Sequence, residues 1–370
     1  MIGAHTGLTE KIFAYKPIDP PVEEIKPPKD RAFFADPQKA SLLSAVTKVK
    51  NLTPYIGTEL QGVQLSQLNE KQKDELALLV AERGVVFFRN QDLTTEGQHE
   101  FTKHFGIVST YPHRCTISQL IEAYNDVLYQ QDRDPNQVDP RHVTILGRGG
   151  DIRSYEHASG AFAEFHSDHS FEINPPSYTL LRLLKAPEYG GDTIWTSQTA
   201  LFDKLSPTFQ KTFEGLHAVH SSEHVFINTV NSGGTTFRLP VRREHPLIRT
   251  HPVTKQKALY YNPAFVINIP ELKAYESLHT LSFLRDHLHA ADDLSVRWHW
   301  EAGSVALWDN RVAIHRAIPG GYNTEEREGK RTAVFGEKPV YDPNGKTLSQ
   351  WQAERSRDEQ PVIKTGLDGF

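Results

Sequence analysis

The second half of the chain is dense in short apolar segments, which leave few folds open to it. PSYTLLRLLKAP, GGDTIWTS and VRWHWEAGSVALWDNRVAIHRAI are rich in β-branched and aromatic residues and are bounded by Gly or Pro, as strands usually are. Helical segments separate some of these strands, and one of them is predicted from about residue 197 to residue 220. They do not follow the regular alternation of a doubly wound βαβ fold. The pattern predicts an antiparallel barrel or jelly roll, mainly β with helical insertions (α+β).

Local signals place a helix, a strand and a second helix before residue 105. Residues 69–84 form the clearest predicted helix, with Asn69 able to cap it and Gly84 able to end it. The GVVFFRNQD stretch that follows predicts a buried strand. Thr95 and Gln98 form a capping-box pattern that predicts the start of the second helix.

The chain divides into three predicted regions. Residues 1–45 are rich in proline and charge, and we expect an extended N-terminal arm that wraps the domain or is loosely ordered. Residues 46–342 form one large domain, and residues 343–370 form a polar C-terminal tail. A chain of 370 residues with 38% hydrophobic residues is long enough for such a core.

Charge and cysteine content exclude several classes of partner. The net charge is −5 and the basic residues are scattered, so neither nucleic acid nor an anionic membrane is expected to bind. A single cysteine excludes an internal disulfide framework and a thiolate-rich metal site. No Walker A or GxGxxG motif is present, and no segment approaches the length of a membrane span. We expect a soluble, cytoplasmic protein, and a homo-oligomer stays open.

The FHSDHSFEINPP stretch contains candidate metal ligands. It places His166, Asp168 and His169 within four positions. Residues two apart in an extended segment face the same side, so His166 and Asp168 are expected to face one way and His169 the other. An imidazole with a carboxylate is a mixed donor set that suits divalent iron, manganese or zinc.

A third ligand has to come from another segment. His315 is the best candidate, because it ends a β-branched strand just before a Pro-Gly-Gly turn. Two histidines and one carboxylate form the facial triad of non-haem Fe(II) oxygenases, which leaves coordination positions open. An HxD triplet alone is common, so the assignment depends on the motifs around it.

Those motifs resemble the taurine dioxygenase family of Fe(II)/2-oxoglutarate-dependent dioxygenases, in the manner of a fungal-type sulfonate dioxygenase. Blocks match in order between about residues 50 and 340: LTPYIGTELQGVQLSQL, RGVVFFRNQD, FHSDHSFEINPPSYTLL, GGDTIWTS, LIRTHPVTKQKALYYNPAF, VRWHWEAGSVALWDNRVAIHRAI and RTAVFGEKP. The resemblance implies a double-stranded β-helix (jelly roll) core over the dioxygenase domain. It also implies catalytic Fe(II) bound by His166, Asp168 and His315, with 2-oxoglutarate and O2 as cosubstrates.

The same resemblance assigns the anion-binding residues. Thr193 of GGDT and Arg327 of EREGKR match the positions that hold the far carboxylate of 2-oxoglutarate, and Arg331 matches the position that binds a substrate sulfonate. Arginine suits this task because its guanidinium pairs with a carboxylate through two hydrogen bonds. The chain has one residue more between His315 and this pair than the bacterial pattern, so an exchange of roles between Arg327 and Arg331 stays open.

The substrate contacts depart from the taurine pattern. Tyr111 precedes the proline where sulfonate-oxidising relatives carry an HxHP segment, and Phe162 replaces an asparagine that contacts the taurine amine. Together with Phe171 and Phe335, these residues predict an aromatic substrate pocket. We therefore expect a small anionic substrate other than taurine: another sulfonate, a carboxylate or an amino acid.

Asp309 and Asn310 are expected to hold the strand and turn that lead to His315. Two alternatives to the oxygenase stay open: a cupin-like metal-dependent hydrolase or isomerase, and a non-catalytic metal-binding jelly roll. The arginine pair and Thr193 disfavour the first, and open coordination positions disfavour the second. The predicted reaction is hydroxylation of the substrate with release of succinate and CO2, and desaturation or cyclisation on the same iron stays open.

Overall fold

The structure is a computed structural model that describes residues 22–109, 144–147, 164–231, 239–318 and 327–358. Its largest sheet has seven strands in the order β1-β2-β3-β13-β5-β15-β4, antiparallel except for the β2–β3 pair. Those strands are β1 Lys48–Asn51, β2 Thr58–Gln61, β3 Val85–Phe88, β4 Thr144–Gly147, β5 Pro176–Lys185, β13 Val305–Asp309 and β15 Glu328–Phe335.

Three smaller sheets complete the β structure of the described residues. Their orders are β12-β6-β14, β11-β7-β8 and β10-β9, all antiparallel. The strands are β6 Thr193–Ser197, β7 His217–Ser221, β8 Arg242–Pro246, β9 Ile248–Thr250, β10 Lys257–Leu259, β11 Val266–Asn268, β12 Ser295–Trp298 and β14 Ala313–Ala317.

Among the described residues, one α-helix precedes the first strand, and the others are inserted between strands or follow the last of them. The helices are α1 Ala40–Ala45, α2 Glu70–Arg83, α3 Thr95–Lys103, α4 Gln198–Asp203, α5 Pro207–Phe213, α6 Glu223–Asn231, α7 Ala274–His289 and α8 Leu348–Asp358. The arrangement agrees with the predicted mainly β fold carrying helical insertions. No helix in the described residues is long and apolar enough to cross a bilayer.

An aromatic layer joins the seven-stranded sheet to the β12-β6-β14 sheet. Phe87 and Trp308 extend from the large sheet, and Trp195 and Trp298 extend from the small one. Phe87 stacks on Trp298 with ring centroids 4.2 Å apart and meets Trp195 edge-on at 5.3 Å. These side chains form the interior of a two-sheet sandwich, since each buries a large apolar area and packs in favourable ring geometry. Trp195 and Trp308 are therefore core residues.

The predicted first helix is confirmed with its caps. Helix α2 begins after Asn69, whose side chain accepts from the Gln72 backbone N–H while the Gln72 side chain accepts from the Asn69 backbone N–H. Gly84 ends it at a φ of +72°, a conformation that favours glycine. The predicted cap of the next helix is wrong by one residue, because Thr94 rather than Thr95 accepts the Gly97 N–H.

Residues on both sides of the predicted domain boundaries contact the core. Leu42 of α1 is fully buried in the core cluster beside α2, and Asp30 accepts hydrogen bonds from the buried Arg311 and Tyr178. Leu348 of α8 is buried as well. The division into arm, domain and tail stays a prediction, and from Asp30 onward the described part of the arm packs against the domain.

Candidate metal centre and cosubstrate site

A short antiparallel bridge brings two of the predicted ligands together. The His166 N–H donates to the His315 carbonyl at 2.9 Å, and the His315 N–H donates back to the His166 carbonyl at 2.9 Å. The ring centroids are 4.4 Å apart. Because β14 also pairs with β6, His315 lies on a strand held on two sides. The bridge therefore fixes the two imidazoles next to each other.

Three consecutive backbone amides hold the HSD segment against two distant parts of the chain, one at Asn262 and one that runs from Asn310 to His315. The His166 N–H binds the His315 carbonyl, the Ser167 N–H binds Asn262 Oδ1 at 2.5 Å, and the Asp168 N–H binds Asn310 Oδ1 at 3.0 Å. A segment whose every amide is bound in this way has little freedom to move. These bonds therefore fix the backbone from which the His166 and Asp168 side chains extend, whether or not a metal is bound.

The local structure differs from the extended strand that the sequence suggested. Only His166 forms a bridge, and a turn begins at Asp168. His169 lies in this turn at a φ of +45°, a left-handed conformation that is uncommon for residues other than glycine. His166 and Asp168 still converge, but through a bridge followed by a turn rather than through strand alternation. His169 is not in the group of possible metal ligands that contains them.

The Asp168 carboxylate is oriented by hydrogen bonds. Thr179 Oγ1 donates to Asp168 Oδ2 at 3.0 Å, and Asn310 Nδ2 donates to Thr179 Oγ1 at 2.8 Å. Trp308 Nε1 donates to Asn310 Oδ1 at 3.1 Å. Asn310 was expected to support the turn before His315. Its side chain also holds Asp168, directly at the Asp168 backbone N–H and indirectly through Thr179.

Each candidate ligand is held in a form that can bind a cation. Burial raises the pKa of Asp168, but Arg331 and the nearby imidazoles outweigh that effect and hold the pKa well below its usual range. Burial, helped by His166, lowers the pKa of His315 to about 3, so its ring is neutral at pH 7. His166 donates Nδ1–H to the Glu164 carbonyl at 3.1 Å, which makes Nε2 its lone-pair atom.

The ligand atoms of His166, Asp168 and His315 all lie within 4.8 Å of one another. Metal–ligand bonds of roughly 2.1 Å place donors around one ion at most about 4.2 Å apart, so a small side-chain movement would seat an ion here. Two imidazoles and one carboxylate suit a divalent first-row metal. The only other such group among the described residues lies at the surface and comprises His217, Glu244 and Glu271.

The two predicted anion-binding arginines occupy different places. Arg331 Nη1 lies 2.7 Å from Asp168 Oδ1, at the candidate metal centre itself. Arg327 packs over the glycine turn before β6 and donates Nε–H to the Gly191 carbonyl at 3.2 Å. A Cβ at Gly191 would meet the Arg327 side chain at 3.2 Å, and the φ of this residue is +66°. Glycine therefore permits both the turn and the close approach of Arg327.

Thr193 is the first residue of β6, two positions after Gly191. Its Oγ1 accepts from Trp300 Nε1 at 2.9 Å, so its hydroxyl proton stays available to another acceptor. The neighbouring Asp192 carboxylate is bound by Arg297 and His299. Thr193 and Arg327 thus both lie at this glycine turn.

An aromatic wall borders His166. Phe265 meets the His166 ring edge-on at 5.7 Å, and Phe171 meets Phe265 at 5.0 Å. Ala264, Val225 and Val241 pack with these two rings. Sequence reasoning named Phe171 and missed Phe265, which occurs in the ALYYNPAF block without any spacing that would mark it.

The other predicted substrate residues are Phe335, Tyr111 and Phe162. Phe335 is buried near the end of β15, where its N–H donates to the Ile107 carbonyl at 2.9 Å. Tyr111 and Phe162 lie outside the described residues.

Comparison with known proteins agrees with this geometry. Residues 48–333 match the family described as "Taurine catabolism dioxygenase TauD, TfdA family". The chain is 37% identical to a Saccharomyces cerevisiae α-ketoglutarate-dependent sulfonate dioxygenase, over 80% of this chain and 68% of the yeast protein. It is 35% identical to the α-ketoglutarate-dependent dioxygenase cnsM of Penicillium expansum, over 94% and 95% of the two chains.

A solved structure confirms the predicted jelly-roll fold. A taurine dioxygenase from Burkholderia xenovorans superimposes with a TM-score of 0.63 at 30% identity, covering 82% of this chain and 94% of that one. The chain therefore belongs to the TauD/TfdA family and is a non-haem dioxygenase that depends on Fe(II), 2-oxoglutarate and O2.

Proposed function

We propose that this dioxygenase hydroxylates a small anionic organic substrate at an iron held by His166, Asp168 and His315. The convergence of these three donor groups within 4.8 Å is the observation that carries the proposal. Arg327 and Thr193 hold the far carboxylate of 2-oxoglutarate, and Arg331 binds the anionic group of the substrate.

The placement of the arginines supports this division of roles. Arg331 reaches Asp168 directly, so an anion bound to Arg331 lies beside the metal, where a substrate has to be. Arg327 bonds to the carbonyl of Gly191, which lies two residues before Thr193. A guanidinium and a hydroxyl can together bind one carboxylate through charge-assisted hydrogen bonds. The far carboxylate of 2-oxoglutarate then binds to Arg327, and the anionic group of the substrate binds to Arg331.

The protein's task is to orient the reactants and keep the reaction site dry. Bound iron supplies the redox chemistry that couples decarboxylation of 2-oxoglutarate to insertion of one oxygen atom of O2 into a substrate C–H bond. The other oxygen atom enters succinate, and CO2 leaves. Phe171 and Phe265 exclude water on the side of His166, and buried Asp168 stays ionised through Arg331.

The substrate combines an anionic group with an apolar body. Arg331 matches the anion, and the wall of Phe265, Phe171, Val225 and Val241 matches the apolar part. Relatives point to sulfur oxyanions, since the yeast relative is named a sulfonate dioxygenase and a Pseudomonas putida relative at 28% identity is named a sulfate ester dioxygenase. We place sulfonates and sulfate esters first, before carboxylates and amino acids.

A screen for succinate formation tests this proposal. The iron-loaded enzyme is incubated with 2-oxoglutarate, O2 and single alkyl or aryl sulfonates, sulfate esters, carboxylates and amino acids, each paired with a neutral analogue of similar shape. We expect at least one anion to raise succinate formation well above the substrate-free rate, and its neutral analogue to fail.

Asp168→Ala is the matched negative control, since it removes one ligand and should abolish turnover. Equal stimulation by neutral and anionic analogues would contradict the role of Arg331. Full turnover by Asp168→Ala would contradict the proposed metal centre.

A further inference from the structure

Two buried histidines outside the candidate metal centre contact the turn that carries Asp168. The turn runs from Asp168 to Glu172 and is closed by the Glu172 N–H, which donates to the His169 carbonyl at 2.9 Å. His220 of β7 and His245 of β8 lie against its far end. Neither residue belongs to the group of possible metal ligands around Asp168.

Each histidine is hydrogen-bonded to the turn. His220 Nδ1 lies 2.8 Å from Ser170 Oγ, and His245 Nε2 donates to the Glu172 carbonyl at 2.9 Å. The two strands are antiparallel neighbours, and the imidazole centroids are 5.3 Å apart. The β11-β7-β8 sheet thus places two neighbouring imidazoles against Ser170 and Glu172, which follow Asp168 by two and four residues.

Both hydrogen bonds to the turn are made by buried imidazoles. His220 is fully buried and His245 is 1% exposed. The opposite ring nitrogens, His220 Nε2 and His245 Nδ1, have no hydrogen-bond partner among the described residues. Burial lowers the pKa of His245 to about 3 and the pKa of His220 well below its usual value, so both rings are neutral. A position that only filled space would be better served by an apolar side chain.

The turn needs external support. His169 adopts a φ of +45°, which disfavours the turn in isolation. Asn310 binds the first amide of the turn, at Asp168, and the imidazoles bind the Ser170 side chain and the Glu172 carbonyl farther along it. The Asp168 carboxylate leaves the backbone between these supports.

We infer that His220 and His245 are positioning residues that fix the 168–172 turn so that Asp168 binds the metal together with His166 and His315. This inference rests on the metal centre proposed above. The two histidines touch neither the metal nor the substrate, and they act through the backbone of the turn. Removal of either hydrogen bond lets the turn shift, which weakens metal binding.

Amide side chains separate this role from packing. The amide group of asparagine can occupy the place of imidazole Nδ1, and that of glutamine can reach the place of Nε2. His220→Asn and His245→Gln therefore retain the hydrogen bond to the turn, whereas His220→Gln and His245→Asn lose it. The four variants form two matched pairs in which the same residues have opposite effects.

The measurement is the dissociation constant for Co(II), titrated anaerobically into the metal-free full-length protein, beside the thermal midpoint of each variant. We expect His220→Gln and His245→Asn to weaken Co(II) binding about 10- to 100-fold, as loss of a group that orients a ligand does. His220→Asn and His245→Gln should stay within about threefold of the wild type. Ser170→Ala, the smallest change, should match His220→Gln, and combining these two should add nothing further.

The controls separate the two proposals. If the wild type binds Co(II), Asp168→Ala does not, and all four histidine variants and Ser170→Ala bind like the wild type, this inference is overturned and the metal centre stands. Affinity losses that follow the thermal midpoints, whichever amide is present, also overturn it. If the wild type binds no Co(II), the metal centre itself falls and the inference falls with it.

Discussion

The Thr179 hydroxyl orients one oxygen of the Asp168 carboxylate. Thr179 Oγ1 donates to Asp168 Oδ2 and accepts from Asn310 Nδ2, and all three residues are buried. Thr179→Val keeps the shape but removes one hydrogen bond from each neighbour. We expect Co(II) affinity to fall about tenfold and the free energy of unfolding to fall by about 1–3 kcal/mol. Metal titration and urea denaturation measure the two effects.

The matched control is Thr196→Val. Thr196 is also fully buried in a strand, and its Oγ1 bonds to Ser295 Oγ at 2.7 Å rather than to a candidate ligand. It should lower stability without changing Co(II) affinity. Equal loss of affinity in both variants would mean that Thr179 acts only through general stability.

The two arginines should separate in kinetics. Arg327→Ala removes a charge-assisted partner of 2-oxoglutarate, so the 2-oxoglutarate concentration for half-maximal succinate formation should rise about 10- to 100-fold. Arg331→Ala should instead raise the requirement for the anionic substrate found in the screen. Steady-state kinetics in both cosubstrates measures this, and the reverse pattern would exchange the two roles.

Residue patterns in the sequence predicted the candidate donor set and one supporting residue, Asn310, but not the other supports. His166 and Asp168 were paired by strand alternation, yet a bridge and a turn bring them together. Asn262, Thr179 and Phe265 reach the site from other segments, and no spacing marks such contacts. They depend on which segments pack together, which local sequence does not record.

The N-terminal segment contributes to the core of the molecule. Leu42 of α1 is fully buried, and Asp30 accepts from Arg311 Nη1 at 2.7 Å and from the Tyr178 hydroxyl at 3.0 Å. Arg31 pairs with Asp74 of α2. A proline-rich, charged composition did not reveal this, because the contacts depend on a few residues within a polar segment.

Two substitutions test the importance of that segment. Leu42→Ala should lower the free energy of unfolding by about 2–5 kcal/mol, because it leaves a cavity in a packed cluster. Phe34→Ala, in the same segment but 53% exposed, should stay within about 0.5 kcal/mol of the wild type. Chemical denaturation measures both, and a Leu42→Ala variant as stable as the wild type would show that the segment is dispensable.

Elements with strong local signals were predicted well, and elements that depend on distant partners were not. Helix α2 has its own cap, capping box and terminal glycine. The stretch near residues 197–220 was expected to be one helical segment, but it divides into α4, α5 and β7. Pro207 begins α5 after the Ser206 cap, and β7 is a strand because it pairs with β8 and β11.

The order of strands in the whole molecule could not be derived from the sequence pattern. The pattern left a barrel and a jelly roll open, and the family resemblance selected the jelly roll. Strand β13 lies between β3 and β5, which are far from it along the chain. Such pairings follow from the packing of the aromatic layer, and local periodicity carries no information about them.

Buried neutral histidines should make the whole fold sensitive to acid. His220, His245 and His251 all have lowered pKa values, chiefly because burial disfavours the charged ring. An unfolded histidine gains a proton near pH 6.5 and these folded ones do not, so their contribution to stability is complete above that pH and is lost as the pH falls. For His245, whose pKa is lowered to about 3, the loss is on the order of 2 kcal/mol at pH 5.

The pKa of Asp309 adds a second step at lower pH. Burial raises this pKa, but Arg311 and His251 hold it well below its usual range, so its contribution is lost only below about pH 4. We expect the urea midpoint of the metal-free protein, kept in chelator, to fall from pH 7 to pH 5 and again below pH 4. His245→Gln should make the first step smaller and leave the second unchanged, and a midpoint constant from pH 7 to pH 5 would contradict neutral burial of these rings.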